Sequence, residues 1–196
     1  MFTSNVSSAT VSVIDQTAAQ GPGPGRGPGG PGGPGRGGPP GGGPGGGPDW
    51  NVTNIAVGRG SEGFDLSPDG KELWVANAQD HTISIIDVPG KKVVQTIPST
   101  GAANRLKITV DGKYVFVSDL SGNEMLVVDA ATRKEFKRIK LPASSEGLLM
   151  SPDGSHVYTT LNSRDAVAVI DLKTFTLAGE VKTGRGPDGL AWAERR

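Results

Sequence analysis

The chain has 196 residues, with 20 basic and 20 acidic side chains, so no charge excess draws it to nucleic acid or an anionic membrane. It has no cysteine and two histidines, which excludes disulfide scaffolds, thiolate metal sites and cysteine nucleophiles. No apolar run reaches the roughly 18 residues of a membrane span, and Met1-Phe2-Thr3-Ser4-Asn5 lacks the basic start and apolar stretch of a signal peptide.

In chain order, Met1–Asn5 and Thr10–Asp15 read as two short strands. Gly21–Pro48 follows, 28 residues of which 17 are Gly, 9 are Pro and 2 are Arg. Such a tract has no side chains with which to offset the entropy of ordering, and is expected to be a disordered insertion. Collagen needs Gly at every third position, and the best register, from Gly29 to Gly41, breaks at Pro44. A further strand is expected near Asn51–Val57. The next unit carries four: Gly63–Ser67, Leu73–Asn77, Thr82–Asp87 and Lys92–Ile97. The turn Ser67-Pro68-Asp69-Gly70 joins the first two, Pro presetting φ and Gly taking the last position.

This unit repeats. Gly70, Gly112 and Gly154 are 42 residues apart, as are Asp87, Asp129 and Asp171, and Phe64, Leu106, Leu148 and Leu190. Without the insertion 168 residues remain, four times 42. Four short strands per unit, at a period of 40–45 residues, indicate an all-β chain: a β-propeller of four-stranded antiparallel blades, with four blade-equivalents in one unit spanning residues 1–196. Phe2, Trp74, Phe116 and Tyr158 share one repeat position and are expected to stack neighbouring blades. The first blade is expected to be split, its innermost strand being Gly189–Ala193 at the other end of the chain. Three closures are open: a four-bladed ring, two chains in a ring of eight, or part of a larger ring.

Leu73-Trp-Val-Ala-Asn77, Val115-Phe-Val-Ser-Asp119 and Met1-Phe-Thr-Ser-Asn5 resemble the Tyr-Val-Thr-Asn motif of the YVTN-repeat family, related to YncE-like and lactonase-like seven-bladed propellers. Thr82-Ile-Ser-Ile-Ile-Asp87 and the Ser-Pro-Asp-Gly turns match as well, whereas Val157-Tyr-Thr-Thr-Leu161 departs. The resemblance implies a periplasmic or secreted setting, although this chain shows no leader.

Two segments, Gly58-Arg-Gly-Ser-Glu-Gly63 and Gly184-Arg-Gly-Pro-Asp-Gly189, fit a dinucleotide fingerprint, but each leads into a strand rather than the helix that would receive a pyrophosphate. Asp69, Asp111, Asp153, Asp15, Asp87, Asp129 and Asp171 fall at turns, where Asp accepts backbone N–H bonds. The basic run Arg133–Lys140 lies on an outermost strand, where lysine keeps an edge from pairing with other chains. The candidate site is the rim where loops enter the innermost strands. One repeat position there gives Glu62, Asn104, Glu146 and Asp188, interspersed with Arg59, Arg105 and Arg185. Loops on the same rim add Asp80, His81, Asn123, Glu124, Arg164 and Asp165. No cofactor is expected, although a ring of acids could take a divalent cation such as Ca²⁺. The expected role is a non-catalytic scaffold binding a protein partner or small polar ligand. The rival is a channel-mouth hydrolase, lactonase-like as the resemblance implies, with Glu62 and Glu146 as an acid–base pair or holding a divalent ion. His81 beside Asp80 could be a base, but no serine elbow or second histidine stands at a comparable place.

Overall fold

The computed structural model describes residues 1–16 and 50–193, within which four antiparallel sheets follow one another along the chain. The first holds β1 (Phe2–Asn5), β2 (Thr10–Gln16) and β3 (Trp50–Ala56). The second holds β4 (Ser61–Leu66), β5 (Glu72–Asn77), β6 (Thr82–Asp87) and β7 (Lys92–Pro98). The third holds β8 (Ala103–Ile108), β9 (Tyr114–Asp119), β10 (Glu124–Asp129) and β11 (Lys134–Lys140). The fourth holds β12 (Leu148–Met150), β13 (His156–Leu161), β14 (Ala166–Asp171) and β15 (Thr176–Lys182). Each sheet is a meander in sequence order, so each is one blade of a β-propeller, as the period predicts. The Gly/Pro tract, expected to be disordered, lies outside the described residues.

The repeated motifs act locally. Asp69 accepts hydrogen bonds from Ser67 Oγ (2.6 Å) and the Lys71 N–H (3.1 Å), while Ser67 Oγ accepts from the Glu72 N–H (2.9 Å). Thr109, Asp111 and Tyr114 repeat this arrangement, as do Ser151, Asp153 and His156. Gly70, Gly112 and Gly154 close the three turns at φ +73°, +74° and +69°, a region that an L side chain enters only with strain. Donors aimed at the carboxylates stabilise their charged form, so Asp69 and Asp111 titrate below the usual range and Asp153 at about 2. The motif asparagine has an equally local task. Asn77 Nδ2 donates to Thr82 Oγ1 (3.1 Å) and Ser84 Oγ (2.9 Å), and Asn5 repeats this with Thr10 and Ser12. It ties the end of one strand to the start of the next.

Side chains at two repeat positions hold the blades to one another. Trp74 and Phe116 are fully buried, Trp74 in a cluster with Ile108, Val115 and Val117 of the third blade, and Phe116 with Val157 and Ala168 of the fourth. Truncating a buried aromatic of this kind costs about 3–5 kcal/mol. The second position ends the turn into each outer strand and is left-handed: Lys91, Arg133 and Phe175 have φ of 49°, 57° and 54°. From there each side chain reaches back over the preceding blade. Lys91 pairs with Asp15, Arg133 with Glu72, and the Phe175 ring lies parallel to Phe116 at 6.0 Å.

One expectation is corrected. Among the described residues the first blade has three strands, β1 pairs only with β2, and Gly189–Ala193 forms no strand. The segment instead follows its own last blade: Thr160 Oγ1 donates to the Asp188 carbonyl (3.0 Å), and Trp192 lies 6.0 Å from the Tyr158 ring. That is where each inner strand begins, across the inner edge of the blade before it. Pairing with β1 would also require the row of blades to turn a full circle, which local packing does not enforce.

Candidate functional site

The rim residues owe their position to β-bulges in the inner strands. Ser61 faces Asn77 but Phe64 faces Val75, so Glu62 and Gly63 together oppose Ala76. In the third blade Ala103 faces Asp119 and Leu106 faces Val117, so Asn104 and Arg105 oppose Ser118. The fourth blade keeps the geometry, with bonds from the Glu146 N–H to the Thr160 carbonyl (3.1 Å) and from the Thr160 N–H to the Gly147 carbonyl (3.0 Å). A bulge re-aims one side chain and leaves a backbone N–H to satisfy. Ser118 Oγ accepts the Arg105 N–H (3.0 Å), and Thr160 Oγ1 accepts that of Gly147 (2.8 Å). These two hydroxyls are part of the site's framework and were missed from sequence. Their signal was a polar residue recurring inside otherwise apolar strands.

The predicted rim residues separate into three groups. Glu62 and Asn104 meet directly, Asn104 Nδ2 donating to Glu62 Oε2 at 2.6 Å, with Asn104 buried and the Glu62 carbonyl accepting from Ser4 Oγ. Arg59 and Asp80 also pair, through the Arg59 N–H (2.8 Å) and Nε (2.7 Å), which holds the Asp80 carboxyl below its ordinary range. Arg164 turns away, its Nε donating to Glu180 Oε2 (3.2 Å) on the outer strand β15. Asp165 accepts from the Gly186 N–H (3.0 Å), and Glu124 lies 3.6 Å from Arg138. His81 is exposed in a left-handed turn conformation (φ 53°), the place of a turn residue rather than of a positioned base.

The remaining group has different electrostatics. Arg105 and Glu146 are half-buried, Arg185 and Asp188 are exposed, and none of their side chains has a hydrogen-bonding or ionic partner among the described residues. Deeper along the inner strands, Lys107 pairs with Asp65 at 3.1 Å, and Asp65 also accepts from the Ile108 N–H. This link between β4 and β8 was legible as opposite charges at one repeat position. Among the described residues no group of three His, Asp or Glu side chains is placed to hold a metal ion. On the opposite rim a cleft of about 490 Å³ lies between the second and third blades, with Asp69, Glu72, Trp74 and Arg133 in its lining. Its Glu72 is held by both Trp74 Nε1 and Arg133, which makes it a packing seam.

The fold recurs in solved structures. Hydrazine synthase of Kuenenia stuttgartiensis is 26% identical with a TM-score of 0.64, over 66% of this chain and 38% of that one. A functionally unknown protein from Desulfotomaculum acetoxidans is 15% identical with a TM-score of 0.61, over 72% and 49%. The RRP9 WD40 repeats are 16% identical with a TM-score of 0.59, over 64% and 39%. The chain thus spans less than half the length of each, and the last two likenesses show the fold alone. No curated protein matches the sequence. A family model described as YNCE-like beta-propeller matches residues 46–153, more than half the chain and all of its second and third blades. With that match, the Asn-terminated strands and the 42-residue blades, the chain belongs to the YNCE-like beta-propeller family.

Proposed function

We propose that the chain is a binding module that takes a small polar ligand, or a short polar segment of a protein partner, at the bulged rim of its inner strands. The observation that carries this reading is the uneven satisfaction of charge there. Glu62 and Asp80 are already paired, whereas Arg105, Glu146, Arg185 and Asp188 keep both signs of charge without a side-chain partner among the described residues. A half-buried charge gains more from a partner than an exposed one, because less water screens it. Two cationic and two anionic groups suit a ligand carrying both signs, such as an amino acid or the end of a peptide. Following the family likeness, we place this binding outside the cytoplasm.

The test is a titration of ¹⁵N-labelled protein with glycine, alanine and a panel of charged dipeptides. Shifts are expected at Arg105, Glu146 and Arg185, and should vanish in Arg105→Gln and Glu146→Gln without change in the urea midpoint. Shifts confined to other faces would overturn the proposal. So would hydrolysis of a simple lactone that is abolished by Glu146→Gln, which would make the rim catalytic.

A further inference from the structure

The seam between the second and third blades is latched near the rim. Asn104 Nδ2 donates to Glu62 Oε2 at 2.6 Å, and Asp65 accepts from Lys107 Nζ (3.1 Å) and from the Ile108 N–H (3.0 Å). The inner strands run there at a separation that only glycine allows. A Cβ on Gly63 would stand 2.5 Å from the Asn104 carbonyl oxygen and 2.6 Å from Arg105 Cα.

One 42-residue step on, the seam between the third and fourth blades lacks each of these parts. Arg105 occupies the position of Gly63, so β12 cannot approach β8 as β8 approaches β4, and β8 is in closer contact with β4 than with β12. Lys107 and Leu149 stand where Asp65 and Lys107 form their pair. An ammonium has no lone pair, so Lys107 cannot accept the Met150 N–H as Asp65 accepts that of Ile108. Asn104 directs its amide to Glu62 rather than to Glu146. Among the described residues no hydrogen bond or ion pair links β8 to β12. Two half-buried charges of opposite sign flank this seam, Arg105 on β8 and Glu146 just before β12, and neither side chain has a partner among the described residues.

We propose that Arg105 is a wedge that keeps the β8–β12 seam open, and that the ligand enters this seam as its missing latch, with a carboxylate on the Arg105 guanidinium and an ammonium on the Glu146 carboxylate. The assignment rests on the rim site proposed above and narrows its ligand to a zwitterion with both ends free, a free amino acid or short peptide. A guanidinium presents paired N–H donors that fit a carboxylate in two parallel bonds, and a carboxylate accepts readily from an ammonium. Partial burial strengthens both contacts. Losing either should weaken binding about tenfold.

Glycylglycine is the probe, titrated into the ¹⁵N-labelled 196-residue chain. Amide shifts are expected on both sides of the open seam, at Lys107, Gly147 and Leu149. Amidating the carboxylate of the probe should weaken binding to the parent but not to Arg105→Gln, and acetylating its amine should do so for the parent but not for Glu146→Gln. The opposite assignment, or shifts confined to the seam between β4 and β8, would overturn this proposal while leaving a rim site in place. No shift anywhere on the rim would remove the site itself, and the orientation with it. Arg105→Gly and Arg105→Ala give a readout that needs no ligand. Both lose the guanidinium, but only glycine lets β12 close on β8. Amide exchange over residues 146–150 should slow in Arg105→Gly and stay near the parent rate in Arg105→Ala, with circular dichroism showing that both fold. Equal exchange in the two variants would overturn the wedge.

Discussion

Gly63→Ala tests how closely the inner strands approach. The added Cβ would stand 2.5 Å from the Asn104 carbonyl oxygen and 2.6 Å from Arg105 Cα, both backbone atoms of the next blade. Ordinary contact begins near 3.4 Å, so the overlap is about 0.9 Å. Neither atom can swing aside as a side chain would, so the second and third blades must part where Asn104 and Glu62 meet. Overpacking of a filled interior costs about 1–3 kcal/mol. Replacing Gly in a strand returns about 0.5–1 kcal/mol of backbone entropy. The net loss should be about 1 kcal/mol, or ~2–4 °C in Tm for a domain of this size. Gly179→Ala is the control, since it lies in β15 with nothing within 4 Å and should be neutral or slightly stabilising. Urea unfolding of the two variants against the parent measures the difference. Equal midpoints for both would refute the close approach, and with it the placement of the rim residues.

Three other outcomes follow from the same geometry. Ala9 sits at φ 49° after a single 3-10 turn, so Ala9→Gly should raise stability by about 1 kcal/mol, read as a higher Tm. Arg133→Ala removes the ion pair to Glu72 and the bond to Gln95 and should cost about 1 kcal/mol in urea unfolding. Arg133→Gly should lose less, because glycine relieves the strain at φ 57°. Asp69, Asp111, Asp129 and Asp171 titrate below their ordinary range, and Asp153 at about 2, because hydroxyl and backbone N–H donors favour the charged form. The unfolded state therefore binds protons first as the pH falls. The stabilisation is complete above about pH 4 and is lost toward pH 2, so the urea midpoint should drop across that window, and less so in Asp153→Asn. A flat midpoint from pH 5 to 2 would contradict the turn geometry.

The blades were legible because their information is local. Ser67-Pro68-Asp69-Gly70 closes a turn with its own side chains, and Asn77 finds Thr82 and Ser84 five and seven residues on. Each bond is settled within the unit that repeats, so a 42-residue step in sequence becomes a step in space. The rim was legible only in part. Glu62, Asn104, Glu146 and Asp188 share one repeat position, but Asn104 is spent on Glu62, and Arg164 is drawn outward to Glu180. The bulges explain the difference. Placing two residues opposite one breaks the period-two alternation, so the face of Glu62 or Arg105 cannot be read by counting from Leu66 or Ile108.

Closure is the opposite case to the turns. The repeat step aligns Leu190 with Leu148, yet Leu190 joins no strand among the described residues. How many blades close a ring depends on how far each turns from the next, and the side chains Trp74, Phe116 and Phe175 fill the seams where that turn is made. A small change at each seam sums along the row, whereas register does not accumulate error. Strand identity is therefore a property of one repeat, and ring size a property of all of them together. This is why identical blades can serve rings of different number.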